Sequence, residues 1–280
     1  MSRMGSQDGY LLDNRRREAG QRFDTFAELF DPWTFAHLDR VGLGEGRRCW
    51  EVGAGGPSVP AGLARSVGPT GRVWATDIDT SWLTGPGAGA VTDTATDAGP
   101  IEVLRHDVTR DEPPATGLDL VHARLVLVHL PDRAAVLARL ASALRPGGWL
   151  IVEDADPGLQ PLACPADTGA AGERAERIRR GFRALLAQRG ADLEFGRSLP
   201  GLLRGAGLQD VQAEGYFPFT SPAGRELEAA TVRQVRGQLV DAGPVTDAEI
   251  DAHLACLAEG TLDVTTAPLI TCWGRRGAAP

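Results

Sequence analysis

The chain changes its hydrophobic rhythm twice. From Asp13 to Phe30 the apolar positions Ala19, Phe23, Phe26 and Phe30 recur at helical spacing, with Arg15, Arg16 and Arg17 on the other side. Asp31-Pro32 reads as an N-cap followed by proline at the first helical position. That opens a second helix through Phe35 and Leu38 to Val41, ended by 42–46. Short apolar runs then alternate with helical segments. Strands are expected at 48–52, 72–77, 101–105, 118–123 and 148–153, and helices at 58–67 and 131–144, with Arg145-Pro146-Gly147-Gly148 closing the second of these. This alternation predicts an α/β fold with a mostly parallel sheet and helices on both faces. Residues 1–9 are polar and expected to be disordered. Residues 85–100, rich in Gly, Ala, Thr and Asp without an apolar period, read as a mobile loop.

After 153 the pattern becomes helical again. Residues 170–189 place Ala175, Ile178, Phe182 and Leu185 on one face and Arg174, Arg177, Arg179, Arg180 and Arg183 on the other, which reads as a solvated face balanced by glutamates. Ser198-Leu199-Pro200 opens a short helix ending near Gly207, before a strand at 211–217. A helix at 224–241 turns Leu227, Val232, Val235 and Leu239 inward. Thr246 and Glu249 form a capping box ahead of Ile250, Leu254 and Leu257, and a last strand covers 268–273. There is no internal repeat.

At 280 residues the chain suits one large domain or a domain with an appended cap, and its net charge of −8 argues against a nucleic-acid partner. All 29 basic residues are arginine, which excludes a lysine Schiff base. Cys49, Cys164, Cys256 and Cys272 are scattered without a C-x-x-C pair and read as buried thiols, with no metal site. No signal-like or membrane-length apolar run is present, so a cytoplasmic protein without membrane contact is expected.

The densest chemistry lies between 49 and 79. Gly53 and Gly55 follow an apolar run and permit a tight turn with close approach of a ligand to the backbone. Ser58 is placed to cap the next helix, with Pro60 in its first turn. Asp77 ends the run Arg72-Val73-Trp74-Ala75-Thr76, where a carboxylate can accept hydrogen bonds from both hydroxyls of a ribose. In G-x-G-x-x-G the third glycine position holds Ser58, so the dinucleotide fingerprint is incomplete. Glu51, two positions before the first glycine, would repel a pyrophosphate but suits a ligand carrying an ammonium and a sulfonium.

Glu51-Val52-Gly53-Ala54-Gly55 with Asp77 resembles motifs I and II of the class I S-adenosylmethionine (SAM) methyltransferases. Ile101 through Val108 looks like their third strand, and Asp119 through Asp132 like motif IV and the helix after it. The resemblance is good over 47–153 and loose over 195–275, and the overall style is similar to actinobacterial enzymes that methylate small metabolites. It implies a Rossmann-like seven-stranded, mostly parallel sheet with an antiparallel last strand and a helical cap. It divides the chain into an N-terminal helical lid (1–45) and a SAM-binding core (46–280) with cap insertions at about 160–195 and 224–258. It assigns Glu51, Gly53, Ala54, Gly55, Asp77, Ile78, Asp107, Val108, Ala123 and Arg124 to the cofactor: Asp107 faces the adenine amino group, the Val108 N–H the ring, and the backbone of Ala123 and Arg124 the methionine amino group. Pro57 stands where many members carry a third glycine.

The activity implied is methyl transfer from SAM to a small, apolar acceptor, giving S-adenosylhomocysteine, with exposed N-terminal helices offering a homodimer surface. The N-terminal helices, 160–195 and 224–258 are expected to form the acceptor pocket. His129, one turn past the fourth strand, and Asp154, ending the fifth, are the candidate catalytic groups. The apolar neighbours of His129 favour packing over catalysis. His122 lies inside the fourth strand. Two other readings stay open: a protein of this fold that uses the SAM pocket for a cyclisation or isomerisation, and an NAD-dependent oxidoreductase, which Glu51 and Ser58 disfavour.

Overall fold

In the computed structural model the described residues are 17–84, 98–163, 169–219 and 221–278. The expectations for 1–9, for most of the loop at 85–100 and for Cys164 lie outside them. In chain order the main elements are α1 (Arg17–Arg40), β1 (Arg48–Val52), α2 (Ser58–Val67), β2 (Arg72–Asp77), β3 (Ile101–Arg105), β4 (Leu118–Arg124), α3 (Arg133–Ala143), β5 (Leu144–Ala155), α4 (Ala170–Gln188), α5 (Phe195–Gly205), β6 (Leu208–Tyr216), α6 (Pro222–Asp241), α7 (Asp247–Glu259) and β7 (Leu269–Arg276).

The seven strands form one sheet in the order β3-β2-β1-β4-β5-β7-β6. Strands β3, β2, β1, β4 and β5 pair in parallel, and β6 pairs with β7 antiparallel. The expected fold class, a mostly parallel seven-stranded sheet with an antiparallel last strand, is what the chain adopts, and β7 lies between β5 and β6. Parallel strands covered on both faces are buried along most of their length. Strands β1, β2 and β4 are buried over Cys49–Val52, Val73–Thr76 and Leu120–Ala123, with Glu51, Thr76 and His122 as the polar residues among otherwise apolar ones. One face of the sheet carries a cluster of Cys49, Val73, Leu120, Ile151 and Trp273 with Leu38 of α1 and Val59, Leu63 and Val67 of α2. Gly62 lets α2 approach α1, since a Cβ there would lie 2.0 Å from the Phe35 ring.

The described residues fall into two compact units. One holds those of Phe30–Asp154, Gly196–Tyr216 and Leu269–Pro280, which include the sheet. The other holds those of Met1–Leu29, Ala155–Phe195 and Phe217–Pro268. The second unit has its own helical core. Ile178 and Leu185 of α4 pack with Val232, Val235 and Leu239 of α6 and with Ile250 of α7. The capping box at Thr246 and Glu249 forms at the start of α7.

Four local expectations are corrected. Asp31-Pro32 does not separate two helices: α1 runs unbroken with Pro32 inside it. Its buried face, Leu29, Phe30, Thr34, His37 and Leu38, continues across the proline, and Asp31 pairs with Arg124 at 2.9 Å instead of capping a helix. Ser58 does not cap α2. Pro57 takes the cap position with a helical backbone (φ −79°, ψ −15°), which moves Ser58 into the first turn, and no side chain bonds there. Helix α5 starts at Phe195, not Ser198, because Phe195, Leu199 and Leu203 bury one continuous stripe that outweighs the break at Pro200. The arginine face of α4 is not wholly solvated. Arg179 and Arg183 are buried, paired with Glu228 at 2.9 Å and with Glu176 at 2.9 Å. Of the described cysteines Cys49 and Cys272 are buried, whereas Cys256 is half-buried and accepts from Arg174 over 3.3 Å.

Candidate functional site

Strand register decides which side chains meet at the carboxyl edge of the sheet. Val52 is level with Thr76 on β2 and with Ala123 on β4, and Ala123 is level with Val152 on β5. Gly53, Asp77, Arg124 and Glu153 therefore all lie one residue beyond this row. Asp77 pairs with Arg105, so Asp107 lies two residues further along the turn after β3. In open α/β sheets this edge is where ligands bind.

The turn after β1 is built from backbone. Gly53 and Gly55 both take positive φ (62° and 61°), and Ala54 N–H donates to Thr76 O at 3.0 Å. A Cβ on Gly53 would lie 2.4 Å from Val126 Cγ2, so glycine is required for space as well as for conformation. Gly55 N–H donates to Asp77 Oδ2 and Asp79 N–H to Asp77 Oδ1, each at 2.9 Å. Burial raises the Asp77 pKa, and these backbone hydrogen bonds offset only part of that effect. Ile78, the next residue, is a large apolar side chain left 64% exposed.

Asp107 opens the turn after β3 and is half-exposed. Its Oδ1 accepts from Thr109 N (3.0 Å) and Thr109 Oγ1 (2.6 Å). Burial pushes its pKa upward, but the Thr109 hydrogen bonds and the Arg110 guanidinium outweigh it and leave the group below the usual carboxylate range. Val108 is buried. Arg124 engages Asp31 at 2.9 Å and donates to Thr34 Oγ1 at 3.0 Å, so its side chain is committed to α1. After it Leu125 takes φ +58°, rare for a residue with a Cβ, and turns the chain off β4 while its N–H bonds Glu153 O at 2.8 Å.

Glu51 faces into the protein, 2% exposed, with Oε2 2.6 Å from His122 Nδ1. His122 Nε2 lies 3.3 Å from Glu153 Oε2. That carboxylate also accepts from Thr34 Oγ1 (2.5 Å) and from Thr271 Oγ1 (2.7 Å), and Trp33 Nε1 donates to Thr271 at 2.7 Å. Burial alone would neutralise His122, but the two carboxylates overcome it and push its pKa up to about 9. Burial raises Glu51, whereas for Glu153 burial is outweighed by the hydrogen bonds and charge of His122, with Arg124 and Thr34 adding to them, and the result is a lowered pKa. Sequence reading noted His122 without its partners. The available signal was an ionisable residue next to apolar neighbours in each of the three strands, Glu51, His122 and Glu153.

The two candidate catalytic groups are placed differently from expectation. His129 ends a one-turn 3-10 helix (Leu127–His129) in which Leu127 and Val128 are buried, but its own side chain is exposed, so it is not a packed histidine. Asp154 is fully buried and its Oδ2 accepts from Val128 N–H at 3.1 Å, anchoring the turn after β4. No helix among the described residues is long and apolar enough to cross a membrane.

With this geometry in place, comparison with known proteins gives consistent results. The model of a family described as "Methyltransferase domain" matches residues 15–213. The methyltransferase str3 of Strobilurus tenacellus is 36% identical over 146 residues, 48% of this chain and 50% of that protein. The chain thus matches about half the length of that relative. The ubiquinone/menaquinone biosynthesis C-methyltransferase UbiE of Bordetella parapertussis is 27% identical over 216 residues, covering 71% of this chain and 79% of that one. Among solved structures, the phosphoethanolamine N-methyltransferase 2 of Haemonchus contortus in complex with S-adenosyl-L-methionine superposes with a TM-score of 0.60 at 15% identity. It covers 100% of this chain and 62% of that chain, a likeness of fold.

Proposed function

Because the chain belongs to the methyltransferase-domain family, within the class I SAM-dependent methyltransferases, we propose that it transfers a methyl group from SAM to a small-molecule acceptor and releases S-adenosylhomocysteine. The observation that carries this reading is the glycine turn bonded to Asp77 at the carboxyl edge of the sheet. The donor set suits the cofactor: a half-buried carboxylate for ribose hydroxyls at Asp77, an exposed aliphatic face for a purine at Ile78, and Asp107 with the Val108 N–H for the polar edge of the ring. Gly53, Ala54 and Gly55 offer backbone at close range, and the backbone of Ala123 and Arg124 offers carbonyls to an ammonium. Glu51 adds a buried carboxylate below the turn.

SAM, when bound, supplies an electrophilic methyl group on a sulfonium. The protein's task is alignment: the acceptor's nucleophilic atom must approach the methyl carbon in line with the breaking sulfur–carbon bond, with water kept out. Arg124 serves through its backbone, since its guanidinium is held by Asp31 and Thr34. Asp154 serves by fixing the turn that carries His129. His129 remains the candidate proton acceptor for an oxygen or nitrogen nucleophile. An apolar acceptor is in keeping with the relative named for ubiquinone and menaquinone biosynthesis.

The test is calorimetric titration with S-adenosylhomocysteine, followed by assay of its release from SAM across a panel of quinol, phenol and amine acceptors. Saturable binding and acceptor-dependent release are expected. Absence of binding would refute the SAM reading, and binding without release for any acceptor would favour a non-methylating reaction.

A further inference from the structure

We propose that His122 is a positioning residue for SAM: by bridging Glu51 on β1 and Glu153 on β5 it fixes the Glu51 carboxylate beneath the glycine turn and thereby sets cofactor affinity. This rests on the SAM reading above. The geometry begins with register. Glu51 pairs directly with His122 and His122 with Ile151, so Glu51, His122 and Glu153 project from the same face of three adjacent parallel strands. That face is apolar toward the start of the strands and polar only at the carboxyl edge, two residues from the turn at Gly53 to Gly55.

The two carboxylates are supported unequally. Glu153 accepts from Thr34 and Thr271 as well as meeting His122. The Glu51 carboxylate is held by His122. Among the described residues Arg124 of β4 also acts on both carboxylates, and it is itself paired with Asp31 of α1. Removing the imidazole would leave Glu153 with two hydroxyl donors but would strip Glu51 of its hydrogen-bonded cation in a buried site. Such a carboxylate takes up a proton or rotates away. Either response removes negative charge from beneath the turn where the ammonium and sulfonium are assigned.

The two ring nitrogens have distinct partners, so two amides separate their roles. In His122→Asn the amide nitrogen stands near the position of Nδ1 and can still donate to Glu51. In His122→Gln it stands near Nε2 and can donate only toward Glu153. Calorimetry with S-adenosylhomocysteine should show His122→Gln weakened by at least ~10-fold and His122→Asn recovering most of that loss. In turnover the Gln variant should raise KM for SAM more than it lowers kcat. If His122→Gln does not fold, Glu51→Gln carries the test, because it keeps the shape while removing the charge, and the same ~10-fold loss is expected. Folded Gln variants that bind as wild type, or equal losses in the Asn and Gln variants, would overturn the positioning role. Wild-type protein that binds no S-adenosylhomocysteine would instead overturn the SAM reading and this inference with it.

Discussion

Gly55 donates its backbone N–H to Asp77 Oδ2 across 2.9 Å, tying the turn after β1 to the end of β2. With Asp79 on the other oxygen, both carboxylate oxygens of Asp77 are held by backbone donors. On the proposed role, Asp77→Ala removes both the ribose acceptor and the brace on the turn. It should weaken SAM binding by about 1.5–3 kcal/mol in calorimetry. The ionised form does the accepting, and burial raises the Asp77 pKa above its ordinary 3.8. Affinity should therefore begin to fall on acidification at a higher pH than an exposed aspartate would give, and wild-type affinity in a folded Ala variant would remove Asp77 from the site.

Gly53 is constrained twice, by φ +62° and by Val126 at 2.4 Å from a would-be Cβ. Gly53→Ala should cost about 2–4 kcal/mol, combining left-handed strain with overpacking. Val126→Ala in the same chain should return the overpacking part and leave the strain. Denaturant unfolding of the two single variants and the double variant measures the coupling; strictly additive losses would mean that Val126 does not press on the turn.

Much of this architecture was legible in the sequence because period-two and period-3.6 patterns report burial directly. Strands at 48–52, 72–77 and 101–105 and the helix at 58–67 match the structure in bounds. Asp31-Pro32 and Ser198-Pro200 misled because local capping chemistry was outweighed by a buried stripe, which depends on tertiary contacts. The glycine turn and Asp77 were legible because each demands a residue type at a fixed spacing. The bridge through His122 was not: it needs the strand order β2-β1-β4-β5 and the register Glu51 to His122, neither of which the sequence prints. Arg179 is hidden from sequence reading for the same reason, since its partner Glu228 lies on a helix far along the chain.

His129 illustrates the limit of neighbour-based reading, since the buried side chains are Leu127 and Val128 while the imidazole is exposed. His129→Ala should change stability by no more than about 0.5 kcal/mol, as surface substitutions usually do. Thermal melts check this, and a loss above about 1.5 kcal/mol would restore the packed histidine. If it serves as the base, the single-turnover rate should drop about 10²–10⁴-fold at unchanged stability.

The Glu51–His122–Glu153 cluster should also leave a signature in stability against pH. His122 ordinarily titrates at 6.5 and is pushed up to about 9 in the folded chain. A group whose folded pKa is raised contributes its full stabilisation below the unfolded value and loses it as pH rises through the folded one. The contribution of His122 is therefore complete below about pH 6.5, declines above it and is gone past about 9, a change on the order of 3 kcal/mol. Glu153 works in the opposite direction. Its folded pKa is lowered from 4.5, so its contribution is present above 4.5 and is lost as pH falls below that value. The contributions of His122 and Glu153 are therefore both present between roughly pH 4.5 and 6.5. Glu51, raised by burial, loses its contribution as pH rises above its ordinary 4.5 and adds to the alkaline-side decline of the cluster. Urea unfolding from pH 5 to 9.5 measures this, with His122→Asn as the control, because an uncharged amide has nothing to titrate. A wild-type alkaline decline no steeper than that of the Asn variant would show that His122 is neutral in the folded chain.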